Sequence, residues 1–155
     1  MDLMLFDEVA ETVRAMLPPE LGVARLRVRR YGLKLWFDVD QPPREHYEAQ
    51  VVGARHVPEA STLAIEVGFH AENRDRAANE AALAVLMAAE ARWRPALGDE
   101  AIVGPFLGRP DDWRRISETW PDPDLGDPEL GMELGTRLAD YVLALEPLRR
   151  PDAHR

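Results

Sequence analysis

The chain has 155 residues, 46% hydrophobic and 30% charged, which suits one domain with a single core. It has no cysteine, which excludes disulfides, thiolate catalysis and cysteine-ligated zinc, and its net charge of −9 argues against nucleic-acid binding by phosphate neutralisation. No apolar run reaches the length of a membrane span and the start, MDLMLFDEVAE, lacks a signal-like region, so no membrane contact and a cytoplasmic location are expected.

Residues 3–17 carry Leu5, Phe6, Val9, Val13, Met16 and Leu17 at helical spacing, with Asp2 as the cap and Pro18-Pro19 as the stop. ARLRVRRYGLKLWFDVD then alternates with period two on both sides of Tyr31-Gly32, the pattern of a β-hairpin. HYEAQVV and STLAIEVGFHAE alternate in the same way and supply a third and a fourth strand. Residues 73–94 read as one long helix, capped by Asn73 or Asp75, with Ala78, Ala82, Val85, Ala89 and Trp93 on one stripe and Pro95 and Gly98 at its end. Two short strands are expected at 100–106 and 112–120, the second also compatible with a helical turn through Trp113, Ile116 and Trp120. A last helix over 128–146 starts at Asp127-Pro128 and buries Leu130, Leu134, Leu138, Tyr141, Leu145 and Leu148, with Pro147 as the stop. The expected fold is a single α+β domain over residues 1–148: a two-layer sandwich of a mainly antiparallel sheet with helices on one face, in the order α-β-β-β-β-α-β-β-α. Residues 149–155 are expected to form a flexible tail.

The chemistry-bearing surface is the polar side of the first four strands, formed by Arg27, Trp36, Asp38, His46, Glu48, Gln50, Glu66 and His70. Pairing about Tyr31-Gly32 and across the next two turns predicts one row of Arg27, Trp36, Glu48 and Glu66, and a second of Arg25, Asp38, His46 and Gly68. Glu48 opposite Glu66 brings like charges together, which solvent screening, a raised pKa on one partner or a cation between them can relieve; an exposed face screened by Arg27 and His46 is expected. Gly68 within a strand marks the close approach of a ligand or another backbone. A metal site of His46, Glu48, Glu66 and His70 requires the two histidines to meet, and the predicted rows hold them apart, so no metal is assigned. The acids Asp122, Asp124, Asp127 and Glu129 do not follow the EF-hand order and read as turn and cap residues. Gly131 and Gly135 have the spacing of close helix contact.

Two resemblances bear on function. The element order and acidity are similar to the type III secretion chaperone-like group, small α+β proteins that commonly dimerise and bind partner polypeptides. That resemblance implies a non-enzymatic, homodimeric cytoplasmic module with an unidentified protein partner and no cofactor. Asp38 followed by Glu48-Ala49-Gln50 on the next strand resembles the PD-(D/E)xK nuclease pattern. It implies, as the alternative, a magnesium-dependent enzyme in which Asp38 and Glu48 hold the cation and Gln50 stands in for the lysine. No catalytic residue is assigned beyond that alternative.

Overall fold

The structure is a computed structural model and describes residues 4–150. Six strands form one antiparallel sheet in the order β1-β2-β3-β4-β6-β5. The strands are β1 (Ala24–Arg29), β2 (Gly32–Phe37), β3 (Glu45–Gly53), β4 (Leu63–Ala71), β5 (Ile102–Phe106) and β6 (Arg109–Pro121). Helices α1 (Leu5–Met16), α2 (Arg76–Met87), α3 (Glu90–Leu97) and α4 (Leu130–Arg149) complete the expected α+β order. No helix of the described residues is long and apolar enough to cross a membrane.

The core lies where strand alternation meets the helical stripes. Leu33, Leu35, Tyr47, Ala49, Ile65, Val67, Phe69 and Ile116 face Phe6, Val9, Val13, Leu134, Leu138 and Leu145. α4 lies over β3 and β4, α1 over β1 and β2, and α2 over β6. Gly131 and Gly135 let α1 and α4 touch: a Cβ at Gly135 would lie 2.6 Å from the Cβ of Thr12, and one at Gly131 would lie 2.7 Å from the Cβ of Glu8. The small-residue spacing therefore marks a real helix contact. Truncating Ile65 or Phe69, both fully buried, to alanine should cost about 2–5 kcal/mol in urea denaturation. Val85→Ala should cost under about 1 kcal/mol, because Val85 is 54% exposed.

Several expectations need correction. The long helix at 73–94 is two helices, broken at Ala88-Ala89, and the buried stripe of α2 is Asn79, Leu83 and Leu86, so Val85 faces out. The break lets the indole of Trp93 turn inward and donate to the Leu86 carbonyl at 2.8 Å. Asp75 caps α2, its carboxylate accepting from the Ala77 N–H, whereas Asp2 lies outside the described residues. Pro95 lies within α3, which ends at Gly98 with φ +77°. Pro147 does not stop α4. It sits in the last turn, where it removes one backbone donor, and Arg149 beyond it is held by Glu146, Glu45 and the face of Phe69. The tail therefore does not begin at 149; Arg150 also pairs with Asp38 and Glu146, and residues 151–155 lie outside the described ones. The acidic loop is turn chemistry as expected: Asp122 accepts from the backbone of Ser61 and Thr62, Asp124 from Gly126 and Asp127 from Glu129.

Candidate metal centre

The first hairpin turns at Arg30-Tyr31, one position earlier than the Tyr31-Gly32 pattern predicts, so Arg27 faces Lys34 and Arg25 faces Trp36. The next two pairings are also offset by two, with Lys34 beside Glu48, Gln50 opposite Glu66, Glu48 opposite Gly68 and His46 opposite His70. The polar face survives a two-residue slip, but every partner changes. The predicted Glu48–Glu66 repulsion disappears, and the two histidines meet across the strands.

One backbone hydrogen bond follows the end of β4, from the Glu72 N–H to the Arg44 carbonyl at 2.9 Å. Buried Asn79 fixes the following loop: its amide oxygen accepts from the Asn73 N–H, and its amide nitrogen donates to the Asn73 and Asp112 carbonyls. Glu72 thereby joins His46, Glu48 and His70 in a cluster whose four donor atoms all lie within 4.8 Å of one another. His46 Nε2 is 3.0 Å from Glu48 Oε1 and 3.5 Å from Glu72 Oε2. His70 Nδ1 is 3.3 Å and 3.2 Å from the same two oxygens.

The far side of each ring fixes its tautomer. His46 Nδ1 lies 2.9 Å from the Pro43 carbonyl, which can only accept, so this nitrogen carries the hydrogen. His70 Nε2 donates to Glu66 Oε2 at 2.8 Å. Glu66 is fully buried and also accepts from Gln50 Nε2 at 2.8 Å and Ser117 Oγ at 2.6 Å. In the neutral rings, His46 Nε2 and His70 Nδ1 therefore aim lone pairs at two carboxylates. Protonation resolves this at His46, whose Nε2 can then donate to Glu48 Oε1 at 3.0 Å, but not fully at His70, whose Nδ1 is buried without a hydrogen-bond partner among the described residues.

The electrostatics follow the same geometry. Burial is the largest single influence on His70 and opposes its charge, but Glu66, Glu48 and Glu72 together outweigh it, and its pKa is held well above 6.5. Burial also opposes charge on His46, and Glu48 and Glu72 raise it. Burial pushes Glu48 up, yet His46 and His70 bring it down to about 2. Against burial, Glu72 is lowered by the same two histidines, and Glu66 by His70 with help from the Gln50 and Ser117 hydrogen bonds.

The expectation of an exposed, solvent-screened face is therefore overturned at its centre, where His46, Glu48, Glu66, His70 and Ser117 are all buried. Part of the cover comes from the β5–β6 hairpin. Phe106 packs edge-on to His70 with ring centroids 4.6 Å apart, and Trp113 packs on Phe106 at 5.3 Å. Gly68 marks the approach of another backbone, that of β6, which carries Ser117 to Glu66. Beside Glu48 and Glu72 the face opens into a groove of about 440 Å³ lined by Lys34, His56, Phe106 and Trp113.

Of the remaining predicted site residues, Trp36 is buried and donates to the Val39 carbonyl, and Arg27 bonds Gln41 and lies over Trp36. Asp38 has left the strand with φ +71° and is held by the Val23 N–H and Arg150, outside the histidine cluster. Glu72, Ser117, Phe106 and Trp113 did not emerge from the sequence. Glu72 had a signal: His46-Tyr47-Glu48 and His70-Ala71-Glu72 are two His-x-Glu triplets on successive strands, each placing both groups on one face. No protein-family model matches the chain, and neither a curated protein nor a solved structure matches it.

Proposed function

We propose that this protein is a divalent-metal-binding module, with His46 Nε2, His70 Nδ1, Glu48 and Glu72 as ligands and zinc as the fitting ion. The observation that carries the reading is the buried His70 Nδ1, without a hydrogen bond among the described residues and set in a cluster with three further metal-ligating groups. The four histidine–carboxylate separations of 3.0–3.5 Å are close to the edge of about 3.3 Å expected for a tetrahedron of N and O ligands near 2.0–2.1 Å from zinc. Glu66 behind His70 and the Pro43 carbonyl behind His46 are the outer partners that orient metal-ligating imidazoles. Magnesium fits this donor set less well, because it prefers oxygen ligands and retained water in an octahedron. Four protein ligands fill a tetrahedral shell, which favours a structural or metal-responsive role over water activation.

Zinc titrated into chelator-stripped protein should bind with a stoichiometry of one. Cobalt in its place should give the intense visible absorption of a tetrahedral site. At a thousandfold excess over Kd the fold should gain about 4 kcal/mol. His46→Ala and Glu72→Ala should each weaken binding at least about tenfold, as should removal of the outer partner in Glu66→Gln. Absence of binding at micromolar zinc, or binding unchanged in both ligand variants, would overturn the proposal.

A further inference from the structure

The polar face continues past the metal cluster to the β1–β2 hairpin, where a second groove of about 560 Å³ opens. It shares Lys34, Glu48, Gln50 and Val51 with the first, so the two adjoin. Its walls carry Arg27, Arg29, Arg30 and Lys34, and Glu48 is the only carboxylate among its lining residues. That is an unusual concentration of one sign in a chain of net charge −9.

The partners of these cations are more telling. Several arginines elsewhere pair with carboxylates, among them Arg25 with Asp40, Arg94 with Glu90, Arg137 with Glu118 and Arg149 with Glu45, whereas none of the four cations of this groove does so among the described residues. Arg27 bonds only the neutral amide of Gln41 and lies over Trp36, and Arg30 lies over Tyr31. Among the described residues, Arg29 and Lys34 have neither an ion pair nor a hydrogen bond from the side chain. Arg27 and Lys34 face each other across the β1–β2 pair, and Arg29 is two residues further along the same face. Three uncompensated cations thus share one end of a groove whose volume lies in the range of small-molecule sites.

We infer that this groove binds a phosphate monoester. The dianionic head sits among Arg27, Arg29 and Lys34, and the organic part runs past Gln50 toward Glu48. Arginine forks match phosphate oxygens in pairs, and a dianion answers this much positive charge better than a single carboxylate does. The inference rests in one respect on the metal reading. A divalent ion cancels the charges of Glu48 and Glu72 at the far end, so metal loading strengthens anion binding.

Phenyl phosphate titrated into zinc-loaded and zinc-free protein at low ionic strength, followed by calorimetry and NMR, tests this. The expected result is saturable one-to-one binding that weakens with salt and is several-fold tighter in the loaded form. Arg29→Ala combined with Lys34→Ala should weaken it at least about tenfold without weakening zinc binding or lowering the melting temperature, and benzoate should bind at least about tenfold more weakly than phenyl phosphate. Zinc binding without saturable phosphate binding, or equal phosphate binding in the double variant, overturns this inference alone. Phosphate binding of normal strength in a protein that takes no zinc overturns the metal reading alone. Equal binding in loaded and stripped protein removes the coupling, and equal binding of benzoate removes the phosphate assignment.

Discussion

Replacing Gly68 with alanine should cost more than about 4 kcal/mol, a large part of the 5–15 kcal/mol that holds a typical domain together. Gly68 has φ +154°, a conformation that side chains of the L series rarely adopt, and a Cβ there would lie 2.6 Å from both Cα and Cβ of Ser117. That obstacle belongs to a paired strand, so it cannot move aside without opening the β4–β6 ladder. Gly104→Ala is the matched control: its Cβ would meet nothing within 4 Å, and its cost should stay under about 1 kcal/mol. Urea denaturation of the two variants checks this, and equal midpoints would refute it. Opening β4 from β6 would also withdraw Ser117 from Glu66, so any Gly68→Ala protein that folds should bind zinc more weakly.

The stripped protein should be most stable between about pH 4.5 and 6.5. His46 and His70 have folded pKa values above their ordinary 6.5, so their contribution is complete below 6.5 and is lost as pH rises through the raised values. Glu48 and Glu72 lie below their ordinary 4.5, so their contribution is complete above 4.5 and is lost on acidification. For Glu48, the distance from 4.5 to about 2 corresponds to about 3 kcal/mol. Calorimetric melting of stripped protein should therefore give a maximum in that window and a decline toward pH 9. With zinc bound the decline should vanish, because the metal requires the deprotonated rings. A stripped protein whose melting temperature is level from pH 5 to 9 would contradict this account.

The division between what the sequence disclosed and what it hid has a physical cause. Period-two alternation places residues such as Ile65 and Phe69 on one face and Glu66 and His70 on the other whatever the register, so the sheet and its polar side were legible. Register depends on turn geometry. Arg30 and Tyr31 make the first turn without a positive φ, so no glycine or asparagine signal marks its place, and the glycine that attracts the eye opens the next strand. Predicted rows displaced by two residues therefore separate His46 from His70 and set Glu48 against Glu66. Burial of the polar face was hidden for another reason: the Phe106–Trp113 cover arrives from a distant hairpin, and no local pattern in β3 or β4 announces it. The break at Ala88-Ala89 was hidden because alanine favours helix on both sides, and the inward turn of Trp93 decides the matter.

The glycine contact between α1 and α4 also constrains the order of events during synthesis. α1 leaves the ribosome well before α4, yet the surface that receives Phe6, Val9 and Val13 includes that helix, completed only at Arg149. Until then the amphipathic first helix has an apolar stripe and only part of its seat, a helix too short to be stable alone in water. The β1–β4 meander can zip from neighbouring hairpins in the meantime, but closing the first helix on the last brings together segments more than a hundred residues apart. The domain thus becomes whole in a late, long-range step, and through most of translation its N-terminal end is the part most exposed to chaperones, proteases and sister chains.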